Sequence, residues 1–122
     1  MKLHPAGASG LNSISAYGEG YVMINGQRYE SSLIVTPDRV LPWAVQSFDA
    51  LKEDDFAALM QLGMEIVILG TGPRQRFPHP RLTAALAKGR IGVEVMDVKA
   101  ACRTYNILVA EERKVAAALL FA

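Results

Sequence analysis

The sequence predicts an α/β domain in which an antiparallel β segment precedes strands alternating with helices. Three observations carry that expectation. An Asn-Gly pair, Asn25-Gly26, stands between two short β-prone runs and marks a hairpin, because both turn positions tolerate positive φ. The apolar run Glu65-Ile66-Val67-Ile68-Leu69 has the pattern of a strand covered on both faces. A segment opened by Pro80 then leads to a second apolar run at 91–96. Strand, helix and strand together make a βαβ unit, with parallel strands and a right-handed crossover.

Taken in order, the signals from 14 to about 43 are extended. Tyr21-Val22-Met23-Ile24 and Gln27-Arg28-Tyr29-Glu30 flank the turn, and Leu33-Ile34-Val35-Thr36 continues as strand until Pro37 removes a ladder donor. Val40-Leu41 is a further short strand before Pro42-Trp43. Over 53–62, Phe56, Leu59 and Met60 fall at helical spacing, with Glu53, Asp54 and Asp55 in the first turn, where the helix dipole favours acids. Gly63 is the stop. Leu82, Ala85 and Leu86 line one face of a helix from Pro80 to Lys88, and 91–96 reads as a second buried strand. Asp97 caps a helix carrying Val98, Ala101, Cys102, Tyr105, Leu108 and Val109 on its apolar side. The run 115–120 fits a helix by its alanines and a strand by its brevity.

Composition narrows the class of protein. The 122 residues are 51% hydrophobic and 20% charged, enough to bury one core, so we expect a single domain over 1–122 with an irregular N-terminal segment at 1–13. A net charge of +1 argues against nucleic acid or a lipid surface as the partner. One cysteine allows no internal disulfide, and no apolar run approaches the ~20 residues of a membrane span. The start, Met1-Lys2-Leu3-His4-Pro5-Ala6-Gly7, lacks the apolar stretch of a secretory signal, and a cytoplasmic location is the expectation.

Candidate chemistry gathers at the ends of the two parallel strands, where α/β sheets collect ligands. Gly70-Thr71-Gly72 is either a tight exit turn or an anion cradle of backbone N–H groups. It lacks the G-x-G-x-x-G and G-K-[ST] patterns of nucleotide sites. No carboxylate lies between Glu65 and Glu94, whereas Arg74, Arg76, Arg81, Lys88 and Arg90 do; opposite an acid group at Asp49, Glu53, Asp54 and Asp55, this predicts a dipolar molecule. Arg74 and Arg76 have the fork geometry for a phosphate, a carboxylate or an acidic partner. Asp97 is a helix cap or a general base, and Arg103, Thr104 and Asn106 further along the same helix offer polar groups that either line a site beside Asp97 or bind neighbouring backbone. Cys102 reads as a buried, inert thiol. Two histidines, His4 and His79, and one cysteine give no metal-ligand spacing, and no residue set specifies a catalytic centre.

The ordered segments Gly70-Thr71-Gly72-Pro73-Arg74, Ile91-Gly92-Val93-Glu94-Val95-Met96-Asp97 and Ala101-Cys102-Arg103-Thr104-Tyr105-Asn106-Ile107-Leu108, with Glu111 and Arg113, resemble a known family. It is the group of small uncharacterised bacterial and archaeal domain proteins that includes mitochondrial complex I assembly factor three. The resemblance covers roughly 14–120. It implies a three-layer α/β fold with a central mixed, largely parallel sheet, flanking helices and a small N-terminal antiparallel β layer. It also implies that 113–120 is a strand antiparallel to its neighbours, and it implies no established activity or cofactor. The family pattern commonly puts a hydroxyl residue after the aspartate, where this chain has Val98.

Two functions follow as expectations. The first is a non-enzymatic protein-interaction domain that assists assembly of a respiratory or other membrane complex, with a subunit or assembly factor as partner. The second is an anion- or nucleotide-binding domain using Gly70, Thr71, Gly72, Arg74, Asp97, Arg103 and Asn106.

Overall fold

The computed structural model describes residues 10–122. Residues 1–9 of the expected irregular segment, His4 among them, lie outside the described residues; 10–13 carry no helix or strand. Strands β1 (Ile14–Gly18), β2 (Tyr21–Ile24) and β3 (Gln27–Tyr29) form a three-stranded antiparallel sheet. Asn25 at φ 53° and Gly26 at φ 79° make the hairpin turn with both central residues left-handed, as the pair predicts.

The chain then builds a second sheet. β4 (Leu33–Val35) and β5 (Val40–Pro42) form a short antiparallel pair, followed by a 3-10 turn at Phe48–Ala50. The helix expected over 53–62 divides into α1 (Glu53–Ala57) and a 3-10 segment, Ala58–Leu62, which Gly63 ends at φ 72°. β6 (Ile66–Thr71), α2 (Pro80–Lys88), β7 (Gly92–Met96), α3 (Val98–Ala110) and β8 (Val115–Leu120) complete it. The order β5-β4-β8-β6-β7 contains two antiparallel pairings, β5 with β4 and β4 with β8, and two parallel ones, β8 with β6 and β6 with β7.

Residues 115–120 are therefore a strand. The expectation that it runs antiparallel to its neighbours holds against β4 and fails against β6, beside which it is parallel. Strand β7 departs from expectation too. It is the border of the sheet, with Gly92 and Glu94 exposed, rather than a strand covered on both faces. Val93 and Val95 earn their burial from one layer only, which an apolar run cannot reveal.

The fold class is the expected one, and its layers follow from period-two alternation along the central strands. Val115, Ala117 and Leu119 of β8 face one way with Ile68, Leu33 and Val35, into a core with Ile14, Val22 and Ile24 of the small sheet and Val98, Cys102 and Tyr105 of α3. Ala116, Ala118 and Leu120 face the other way with Val67, Leu69 and Ile34, into a core with Trp43, Phe56, Leu59 and Leu86. One outer layer is thus α3 plus the three-stranded sheet; the other is α1, its 3-10 extension and α2. Each fully buried Leu, Ile or Phe contributes roughly 1.5–3 kcal/mol by leaving water.

Among the described residues, no helix is long and apolar enough to cross a membrane. Gly70 sets the spacing between β6 and α3. A Cβ there would stand 3.0 Å from Leu119 Cδ2, 3.1 Å from Ala101 Cβ and 3.3 Å from Val98 Cα. The first residue of α3 is also held by a hydrogen bond from Val98 N to Gly72 O at 2.9 Å, so the helix has little room to retreat. Gly70→Ala should therefore destabilise the fold by about 1–3 kcal/mol, the cost of an overpacked core. Urea unfolding checks this, and a variant as stable as the parent would show that α3 gives way.

Candidate functional site

The C-terminal ends of β6 and β7 lie side by side, with Gly70 opposite Met96. Gly70 and Thr71 are still strand residues; the chain turns only at Gly72, whose φ of 99° favours glycine. Thr71, buried, organises the loop that follows. Its hydroxyl donates to the Arg74 carbonyl at 2.5 Å, with the Met96 carbonyl at 3.3 Å as a second acceptor, and accepts from Arg76 N at 3.1 Å. Gln75 Nε2 donates to Val95 O at 3.0 Å, so the loop is also fastened to β7.

Asp97 is the N-cap of α3: Oδ1 accepts from Ala100 N at 2.9 Å and its carbonyl accepts from Ala101 N at 2.9 Å. With Gly72 O taking Val98 N, three backbone donors at this helix start, those of Val98, Ala100 and Ala101, are engaged within the protein. A 130 Å³ hollow lies beside the cap, between the β1–β2 turn at Gly18–Gly20, Pro73, Asp97–Lys99 and Phe121. Lys99 Nζ meets Glu19 Oε1 at 3.2 Å on its wall. Two carboxylates and one ammonium give this hollow the wrong sign for an anion.

The structure brings Gly70, Thr71, Gly72 and Asp97 together, leaves Arg103 within electrostatic reach of Asp97, and engages Asn106 elsewhere. Arg74 projects from the exposed side of the loop, with no ion pair among the described residues. Arg103 is exposed on α3, and its guanidinium is held above its ordinary pKa first by a hydrogen bond to Tyr17 of β1, with Asp97 adding a weaker attraction. Asn106 clasps β1: Nδ2 donates to Ile14 O at 2.8 Å and Oδ1 accepts from Ile14 N at 2.8 Å. Cys102 is buried, and burial pushes its thiol up to about 12, so it is a neutral packing group at physiological pH.

The two charge blocks expected to form a dipole partly meet in space. Arg76 Nη2 meets Asp49 Oδ1 at 2.7 Å and its guanidinium lies 4.2 Å over the Phe48 ring, while Arg81 approaches Glu53 at 3.9 Å. Arg76 holds the Asp49 carboxyl below its usual range, chiefly through that hydrogen bond, and Arg74 adds a smaller pull. Blocks of opposite charge that are distant in sequence are thus neighbours, and each neutralises part of the other.

The Asn106 clasp is the second of the two alternatives the sequence offered for that residue, binding neighbouring backbone. Sequence reasoning missed the Gln75 fastening and His79, whose Nδ1 accepts from Arg81 N at 3.1 Å as the cap of α2. A larger hollow of 720 Å³ runs between Leu11–Ser13 and the end of α3, and one of 680 Å³ lies beside Trp43, Val45 and Phe121, adjoining the strand tips through Gly20, Phe121 and Ala122. Asn106→Ala should cost about 1–3 kcal/mol in urea unfolding, because both polar groups of Ile14 lose their partner at a half-buried site. No loss of stability would mean that water replaces the clasp.

The family described as "Protein of unknown function (DUF498/DUF598)" matches residues 14–120. The chain is 36% identical over 109 residues to NADH dehydrogenase [ubiquinone] 1 alpha subcomplex assembly factor 3 of Homo sapiens, covering 88% of this chain and 59% of that protein. The chain thus spans little more than half the length of such relatives. It is 28% identical to the 13 kDa major membrane protein of Francisella tularensis subsp. holarctica (strain LVS), over 85% of this chain and 86% of that one. A crystal structure of a Bordetella parapertussis protein superposes with a TM-score of 0.87 at 38% identity, over 92% of this chain and 97% of the other.

Proposed function

The chain belongs to the DUF498/DUF598 family, and from that membership we propose that it works through protein contacts in the assembly of a respiratory complex. The observation that carries the proposal is its similarity to the human assembly factor across almost the whole domain. The shared part is the three-layer domain itself, so the role proposed is the one this domain contributes within the longer relative. A cytoplasmic protein acting at the membrane face fits the reading, and the name of the Francisella relative is in keeping with such a place. The partner in this reading is a subunit or assembly factor of the complex, met at the surface rather than in a deep cleft.

Removing the protein from its host should lower the amount of fully assembled NADH dehydrogenase on native gels and enrich its partial assemblies. Re-expression of the chain should restore the complex. Unchanged assembly would overturn the proposal.

The second reading, anion or nucleotide binding at the strand ends, rests on Arg74 and the hollow beside Asp97 and Lys99. It is the weaker one because three of the helix N–H donors there, those of Val98, Ala100 and Ala101, are engaged and the hollow carries net negative charge. Inorganic phosphate or adenine nucleotides at 10-millimolar scale should leave the melting temperature unchanged. A ligand at 100 times its dissociation constant would instead add about 2.7 kcal/mol, a shift of several degrees, and such a shift, lost in Arg74→Ala, would favour the second reading.

A further inference from the structure

The loop from Pro73 to Arg81 is built to stay still, yet it offers an aromatic ring to water. Phe77 is 75% exposed, one of two large apolar side chains left in solvent among the described residues. The other, Ile107, stands singly on the outer side of α3 and calls for no explanation. Around Phe77 the backbone is restrained by Pro73, Pro78 and Pro80, by the two bonds at the Thr71 hydroxyl and by Gln75 on Val95. A loop already fixed loses little freedom on docking, and an aromatic beside arginines is the composition of a contact hot spot.

The charges around it have an order. Arg76 pairs with Asp49 and Arg81 faces Glu53, so the loop runs alongside residues 49–54 in the same direction. Arg74 therefore stands at the Asp49 end, where its charge is felt by that carboxyl, and Asp54 stands beyond Glu53 at the Arg81 end. Asp55 is spent on Lys52 N at 2.8 Å. Among the described residues, neither Arg74 nor Asp54 has an ion pair, and both are exposed. The face thus has a free cation at one end, a free carboxylate at the other and an exposed phenylalanine between them. Such a pattern is complementary to itself after a half-turn, the requirement for a contact between identical chains.

We propose that this face, loop 73–81 with the strip 48–54, is a two-fold contact surface for a second copy of the chain, with Phe77 near the axis and Arg74 of each copy meeting Asp54 of the other. The contact is small and charge-assisted, of the weak class that forms at micromolar concentrations or above and loosens as salt screens it.

Sedimentation velocity between roughly 5 and 300 µM in low salt tests this, over the range where weak pairs form. The mean mass of the parent chain should climb from 13.2 kDa toward twice that value. Phe77→Asp should stay monomeric throughout. Arg74→Asp and Asp54→Arg should each weaken association about tenfold or more, and the double variant carrying both should regain it, since every pair is then reversed rather than broken. Melting curves matching the parent's establish that each variant is folded; Phe77→Ser replaces the aspartate if that one fails. A parent chain that remains monomeric at the highest concentration overturns the proposal and gives the face to a different protein. So does a Phe77→Asp chain that associates like the parent, or a double variant no better than the single ones.

Discussion

Strand β8 has no exposed side. All six of its residues are buried, alternate ones feed opposite cores, and both of its edges are hydrogen-bonded. Among the described residues it alone joins the pair β4–β5 to the pair β6–β7 in the sheet, so the central sheet exists because this strand enters it. Ala116, Ala117 and Ala118 suit that position: small side chains at the middle of the sheet leave room for Phe56 in one core and Tyr105 in the other. The same close fit continues at Gly70, where Leu119 of β8 and the first turns of α3 leave no space for a methyl group. The strand ends, the Asp97 cap and the loop after Gly72 take their places from this packing.

What could be read from the sequence was whatever is decided locally. The Asn25-Gly26 hairpin, Gly63 as a stop, Pro80 at the head of α2 and Asp97 as a cap rest on turn and cap chemistry that a few neighbouring residues settle. The run 115–120 was open because alanine favours helix, and only partners far away in sequence impose the strand. Strand β7 shows the reverse limit: its valines look the same at a border as in a centre. In the candidate site, the positions of Gly70, Thr71, Gly72 and Asp97 were legible because a βαβ unit brings its strand ends together. The partners of Asn106 and Arg76 were not. Each side chain is fixed by one long-range partner, Ile14 or Asp49, that no spacing announces.

The two ends of the βα loop behave differently. At Gly72 and Asp97 three helix donors are satisfied within the protein, at the place where α/β sheets usually receive ligands. A few residues on, the same order is used to hold Phe77 and Arg74 outward. A fastened loop that holds an aromatic ring outward supports the protein-contact role proposed above.

Gln75 has one more consequence. A sheet that ends in a bare strand invites other chains to extend it, the route to fibrous aggregates. Here the amide of Gln75 occupies the Val95 carbonyl, and Glu94 puts a charge on the same border. The segment that exposes an aromatic ring therefore also stands guard over the open flank of the sheet. Damage to its anchor at Thr71 would unlock both at once, turning a folded chain into a seed for precipitation.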